Sequence, residues 1–209
     1  MRRTELAEHP DRRRWNTRYL QRPPTFEPHP LVDAALAAGC PTGPVLELAC
    51  GRSGSALALA ATGRRVVAVD IADLALTQLT TEARRRGLAE LIEPVAADVP
   101  AHDPGTRCHA LVLATSYWDA TAFRSACAAV LPGGLIGWEA LADSPETDRP
   151  ERPWHVRHGE LSTRLPGGFE VLAEELIVSG RRRSTRLLAR AGSADTSTQR
   201  ADTREGTGG

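Results

Sequence analysis

Four carboxylates stand at spacings that a parallel sheet would gather along one edge: Glu47, Asp70, Asp98 and Asp119. Between the first two lies a loop of mostly small residues, Ala49-Cys50-Gly51-Arg52-Ser53-Gly54, which lets backbone approach a ligand closely. Asp70 follows Gly51 by 19 residues, the offset at which a strand-end carboxylate accepts from both hydroxyls of a ribose. Asp98, at the end of the next apolar run, is placed to accept from an adenine amine. Neither G-x-G-x-x-G nor G-x-x-x-x-G-K-[ST] occurs, so the loop is not built for a pyrophosphate. Glu47 would repel one and would suit a cation. A ligand with a ribose, an adenine, an ammonium and no phosphate fits S-adenosylmethionine, whose sulfonium also favours a site rich in carboxylates.

These residues need elements to position them. Short apolar or β-branched runs at 44–48, 65–70, 91–97, 110–114 and 135–141 read as strands. Helical patterns at 31–38, 55–62, 73–86 and 119–130 lie among them, the third capped by Asp73. Two last strands, 169–178 and 185–190, have no helix between them and should pair as a hairpin. The alternation predicts an α/β, Rossmann-like, doubly wound fold. Its sheet has seven strands, mostly parallel, with an antiparallel C-terminal hairpin. Ligands of such sheets sit outside the carboxyl ends of the strands.

Composition narrows the function. The chain has 209 residues, with 26 basic and 26 acidic side chains. Zero formal charge argues against nucleic acid or an anionic membrane as the main partner. No [DNS]-P-P-[YFW] motif stands at Thr115-Ser116-Tyr117-Trp118, which also argues against nucleic-acid methylation. Every basic residue is Arg, so Schiff-base and P-loop lysine chemistry are excluded. The four cysteines form no C-x-x-C pair and read as reduced thiols. No apolar stretch approaches the ~20 residues of a membrane span, and no signal peptide is evident. The expectation is a cytoplasmic protein in three parts: a flexible segment at 1–13, one domain at 14–191 and a disordered tail at 192–209.

Glu47-Leu48-Ala49-Cys50-Gly51 resembles motif I of the class I S-adenosylmethionine-dependent methyltransferases. Asp70 resembles that family's ribose acid, and Leu131-Pro132-Gly133-Gly134 its turn before the fifth strand. More narrowly, Trp15-Asn16-Thr17-Arg18-Tyr19 resembles the W-[DN]-x-R-Y opening of the tellurite-resistance and thiopurine methyltransferase-like group, as does the strand ending Trp138-Glu139. The resemblance implies the class I methyltransferase fold and S-adenosylmethionine as cofactor. It implies cofactor contacts from Arg18, Tyr19, Glu47, Ala49, Gly51, Asp70, Ile71, Asp98, Val99 and Thr115. Ala49 and Ser53 depart from the family's glycines, and a side chain at 53 is expected to crowd the methionine end.

Methyl transfer from a sulfonium relies on alignment and needs a base only when the acceptor must lose a proton. No catalytic residue can be assigned. Tyr117, Trp118, Asp119, Glu139, His155 and His158 are candidates for the acceptor side, and three of the four tryptophans hint at a flat apolar pocket. His155 and His158 have metal-like spacing but no further ligands nearby, so no metal is expected. Arg181-Arg182-Arg183 reads as a solvated turn. The leading reading is methyl transfer to a small molecule. A non-catalytic binding module and an NAD-dependent oxidoreductase are the alternatives, and the sequence leaves the oligomeric state open.

Overall fold

The computed structural model describes residues 3–143 and 152–193. The chain opens with helices α1 (Arg3–Glu8), α2 (Pro10–Leu20) and α3 (Leu31–Ala37). Then β1 (Val45–Leu48), α4 (Gly54–Ala61), β2 (Val66–Asp70), α5 (Asp73–Arg85) and β3 (Ile92–Ala96) alternate. They are followed by β4 (His109–Ala114), α6 (Ala120–Ala129) and β5 (Val130–Ala142). A two-residue β6 (His155–Val156), a short α7 (Glu160–Thr163) and the hairpin β7 (Phe169–Ser179) and β8 (Arg182–Ala191) complete the order.

The strands lie in the order β3-β2-β1-β4-β5-β8-β7, with β6 beside the end of β5. Neighbours from β3 to β5 are parallel, and β8 runs antiparallel to both β5 and β7. This is the Rossmann-like sheet with its C-terminal hairpin. β1 and β4 are buried at every position because helices cover both faces. One face packs Leu46, Val112, Phe123, Trp138 and Leu187, and the other packs Leu31, Leu57, Leu79, Leu113 and Leu188. Strand order reverses between β1 and β4, and the carboxyl ends of these strands are where an open α/β sheet forms its ligand crevice.

Three local expectations change. β5 begins earlier than the apolar run at 135–141. Its pairing jumps from His109–Val130 to Leu111–Leu135, so Leu131–Gly134 bulges out with Gly133 at φ 77°. Pairing with β4 ends at Ala114–Trp138, and β5 continues to Ala142, held by β8 and β6. Trp138 is wholly buried, edge-on to Phe123, so it is core and not pocket wall.

The described part of segment 1–13 is largely helical, from Arg3 to Glu8 and again from Pro10. Its polar composition hides specific anchors. Leu6 is buried, the His9 side chain accepts from the Asp11 amide, and Arg12 reaches across to α5. Asp73 does not cap α5, whose cap position is Ala72. Its carboxylate instead accepts from Arg12 Nη2 at 2.6 Å and Asn16 Nδ2 at 2.7 Å, while Asn16 Oδ1 takes the Leu74 amide. This clamp lays α2 along the start of α5. The expected tail lies outside the described residues from 194 onward.

Replacing Asp73 with Ala should free α2 without unfolding the body. Half-exposed ion pairs contribute up to about 1 kcal/mol, so the melting temperature should shift by only a few degrees. Trypsin should cut at the arginines of α2 several-fold faster, read by mass spectrometry. Unchanged cleavage would show that the clamp does not hold the helix.

Candidate active site

The crevice floor is built by two strand ends. Glu47, next to last in β1, is 2% exposed. Its Oε2 accepts from Ser53 Oγ at 2.6 Å, and Ser53 Oγ accepts in turn from the Ala56 amide at 2.8 Å. Ser53 is thus the N-cap of α4, and its hydroxyl is turned down onto Glu47. Burial is the main cause that pushes Glu47 up from 4.5 to about 7, nearby Asp70 adds to it, and the Ser53 and Ala56 hydrogen bonds oppose it.

Asp70 ends β2 and is 6% exposed. Its Oδ2 accepts from the Gly51 amide and its Oδ1 from the Ala72 amide, both at 2.7 Å. A carboxylate has about four acceptor positions, so capacity for two hydroxyls remains. Burial raises the Asp70 carboxyl above its usual range, against these amides and that of Ile71. Between the two acids Ala49 and Gly51 both take positive φ, 49° and 56°. Only glycine adopts that conformation without steric cost, so Ala49 is strained. Cys50 sits between the acids, and its thiol is raised, first by burial and then by Asp70 and Glu47.

The N-terminal segment forms the roof. Tyr19 on α2 lies so close over Gly51 that a Cβ there would overlap its hydroxyl. Its phenol is raised above the ordinary range by burial first and Asp70 second. Arg52 stacks on the Tyr19 ring at 4.9 Å and donates to the Arg22 carbonyl. The backbone of Phe26 and Glu27 crosses Gly54 with no room for a Cβ. Arg18 does not close over the crevice as expected. It is exposed and stacks on Trp15 at 5.2 Å.

On the adenine side, Asp98 precedes a single 3-10 turn, with Val99 buried behind it and Thr115 half-buried at the end of β4. The Tyr117 phenol is raised by burial and then by Asp119, Asp98, Asp11 and Asp70. Tyr117 directly precedes the Trp118-Asp119 pair, and its amide donates to the Glu139 carbonyl at 3.2 Å. Asp119 is spent as the N-cap of α6, accepting from the Ala122 amide at 2.8 Å.

Around β5 the polar groups are paired among themselves. Glu139 accepts from His29 Nε2 at 3.1 Å and from Arg186 at 2.9 Å. Burial raises its carboxyl, but His29 and Arg186 prevail and hold it below the usual range. His155 bonds Asp143 at 2.7 Å and His158 bonds Thr185 at 3.0 Å, so the two histidines have separate partners. Trp118 packs on Phe123 under Arg164, and Trp154 is exposed. Sequence reasoning missed Arg12 and His29, and their only outward signal was distant partners.

The overall fold is shared with solved methyltransferase structures. Residues 45–134 match the family model of a methyltransferase domain. Probable S-adenosylmethionine-dependent methyltransferases from two strains of Mycobacterium tuberculosis are each 30% identical over 137 residues, 63% of this chain and 49% of theirs. The chain thus spans about half the length of the curated relatives it matches. TehB from Haemophilus influenzae superposes with a TM-score of 0.68 at 18% identity, over 86% of this chain and 66% of that one. Magnesium protoporphyrin IX methyltransferase from Synechocystis PCC 6803, solved with S-adenosylmethionine bound, gives 0.62 at 14% identity, over 78% and 76%.

Two outcomes follow from the floor. Ala49→Gly should raise stability by about 1 kcal/mol, the strain removed less the entropy glycine adds, read by urea unfolding. Glu47 holds its proton in the folded chain up to about pH 7, whereas the unfolded chain releases it near 4.5. The folded state therefore binds more protons in that window, and its stability falls as pH rises through it. Glu47→Gln should flatten the fall in melting temperature, and an unchanged profile would place the titration elsewhere.

Proposed function

We propose that the chain binds S-adenosylmethionine and transfers its methyl group to a small-molecule acceptor. The observation that carries this is Asp70 beside Gly51: a buried strand-end carboxylate with acceptor capacity left, over a loop without the phosphate-binding glycines. The residues fit the group. Asp70 would accept from the ribose hydroxyls, and Ile71, Asp98 and Val99 would receive the adenine. Glu47, Asp70 and the loop carbonyls would supply negative potential for the sulfonium and ammonium. When bound, the cofactor supplies a methyl already activated on positive sulfur for in-line displacement.

The chain's own task is alignment and exclusion of water. Gly51 sets the depth of the loop, while Ser53 and the Ala56 amide fix Glu47 in place. Tyr19 and α2 cover the loop at Gly51. Because Tyr19 rests on Gly51, it must give way or tighten when the cofactor enters. No general base is required for an acceptor that already carries a lone pair.

The finer reading is the tellurite-resistance and thiopurine methyltransferase-like group. The Trp15–Tyr19 opening supports it: Asn16 clamps α2, Tyr19 roofs Gly51 and Trp15 stacks with Arg18. The likeness in shape to TehB agrees with it. We keep a cytoplasmic setting and a body spanning 14–191 as parts of the same proposal.

Calorimetry should show heat of binding for S-adenosylmethionine and S-adenosylhomocysteine and none for NADH. Asp70→Ala should weaken both by at least about tenfold, since hydrogen bonds to a charged group are each worth about 1.5–3 kcal/mol. A positive ligand favours ionised Glu47, so affinity for S-adenosylmethionine should rise as pH passes about 7. Heat from NADH alone would overturn the proposal.

A further inference from the structure

The end of the β7–β8 hairpin carries Arg181, Arg182 and Arg183, and it is not a free solvated turn. β5 runs past its last partner on β4, and β8 follows it, so the hairpin tip stands above the carboxyl end of β4. There Arg182 Nη2 donates to Ser116 Oγ at 2.6 Å. Ser116 lies directly after β4 with a positive φ of 57°, next to Tyr117 of the crevice. The tip is thus tied to the rim on the side away from Asp98.

Arg183 supplies an independent sign. Its Nε is buried and has no hydrogen-bond partner. A desolvated guanidinium donor left unpaired is costly, and such orphans call for an explanation. The other arginines of this strand are accounted for: Arg186 is held by Glu139, and Arg190 donates to the carbonyls of Gly133 and Ala38. Neither Arg182 nor Arg183 has a carboxylate partner among the described residues. Successive residues of a strand face opposite ways, so the two guanidinium groups flank the tip. Arg182 shares its face with Arg186, and Arg183 shares its face with Thr185, which bonds His158.

Charge is therefore divided across the mouth of the crevice. Carboxylates gather at the ends of β1, β2 and β3, and unneutralised guanidinium groups stand at the β8 end. The neutral total conceals this division. Resting on the methyltransferase reading above, we propose that the hairpin tip is an oxyanion subsite for the methyl acceptor, which carries a carboxylate or phosphate group. Guanidinium forks match both groups and hold them in a fixed orientation. The acids would bind the cationic donor and the arginines the anionic acceptor, each repelled from the other's place.

The test titrates benzoate and, separately, inorganic phosphate into the protein, with and without saturating S-adenosylhomocysteine. The two probes separate the carboxylate source from the phosphate source. At least one should give saturable heat, reduced about tenfold or more in affinity by Arg183→Met and by Arg182→Met, the loss expected for a charged hydrogen bond. Arg85→Met, which removes an exposed arginine paired with Glu82 on α5, should leave that affinity unchanged. Binding of S-adenosylhomocysteine should stay within about twofold in all three. Should Arg183→Met melt early, Arg182→Met at the exposed tip carries the comparison. Absence of heat from both probes, or heat that survives both tip variants, overturns the subsite. Failure of S-adenosylhomocysteine to bind the wild type would instead overturn the methyltransferase reading.

Discussion

The structure turns on two carboxylates kept out of water at the ends of adjacent strands. Desolvating an acid is expensive unless something replaces the lost hydration. Here backbone amides and one serine hydroxyl do so, and the loop between β1 and α4 is shaped by the need to supply them. The Gly51 amide must reach Asp70, which bends the loop into positive φ at Ala49 and Gly51. Ser53 must both start α4 and face Glu47. The loop conformation, the helix start and the negative potential of the crevice are thus one arrangement.

The N-terminal helices answer a second constraint. A carboxyl-end crevice in an open sheet is exposed to solvent on one side, and in this chain residues before the first strand close it. Arg12 and Asn16 bring α2 to Asp73, and Tyr19 is carried over Gly51 as a result. His29 then ties the following segment to Glu139 and so to β5. The roof is attached at both ends to the sheet it covers. A roof held by a few polar contacts can open at modest cost, whereas the floor cannot move without unpairing strands.

Much of this was legible in the sequence. Short apolar runs among helical patterns gave the five strands β1 to β5, because buried parallel strands leave a continuous apolar signature, and the missing helix between the last two runs gave the hairpin. Asp70 and Gly51 were readable because their spacing is fixed by one strand–loop–helix unit. Contacts that span the chain were not readable. Asp73 looked like a cap because local spacing permits it, and only the arrival of α2 assigns it elsewhere. The contacts of α2 with α5 were not readable because Arg12 and Asn16 resemble any surface polar residue. Trp138 was misplaced because its direction depends on how β4 and β5 overlap. The arginines at the hairpin tip looked solvated because nothing local reports how far β5 outruns β4.

The outer strand of the sheet has a consequence of its own. Among the described residues β7 has a partner strand on one side of its backbone only, and Val171, Leu172 and Val178 are exposed along it. Such a border invites a strand from a neighbouring molecule. The pairing with β8 shifts between Val171 and Ala173, and Glu170 and Glu175 stand exposed on either side of that irregularity. A second molecule stacking there would meet a kinked ladder and like charges, so the sheet is discouraged from growing outward by the same strand that would seed its growth.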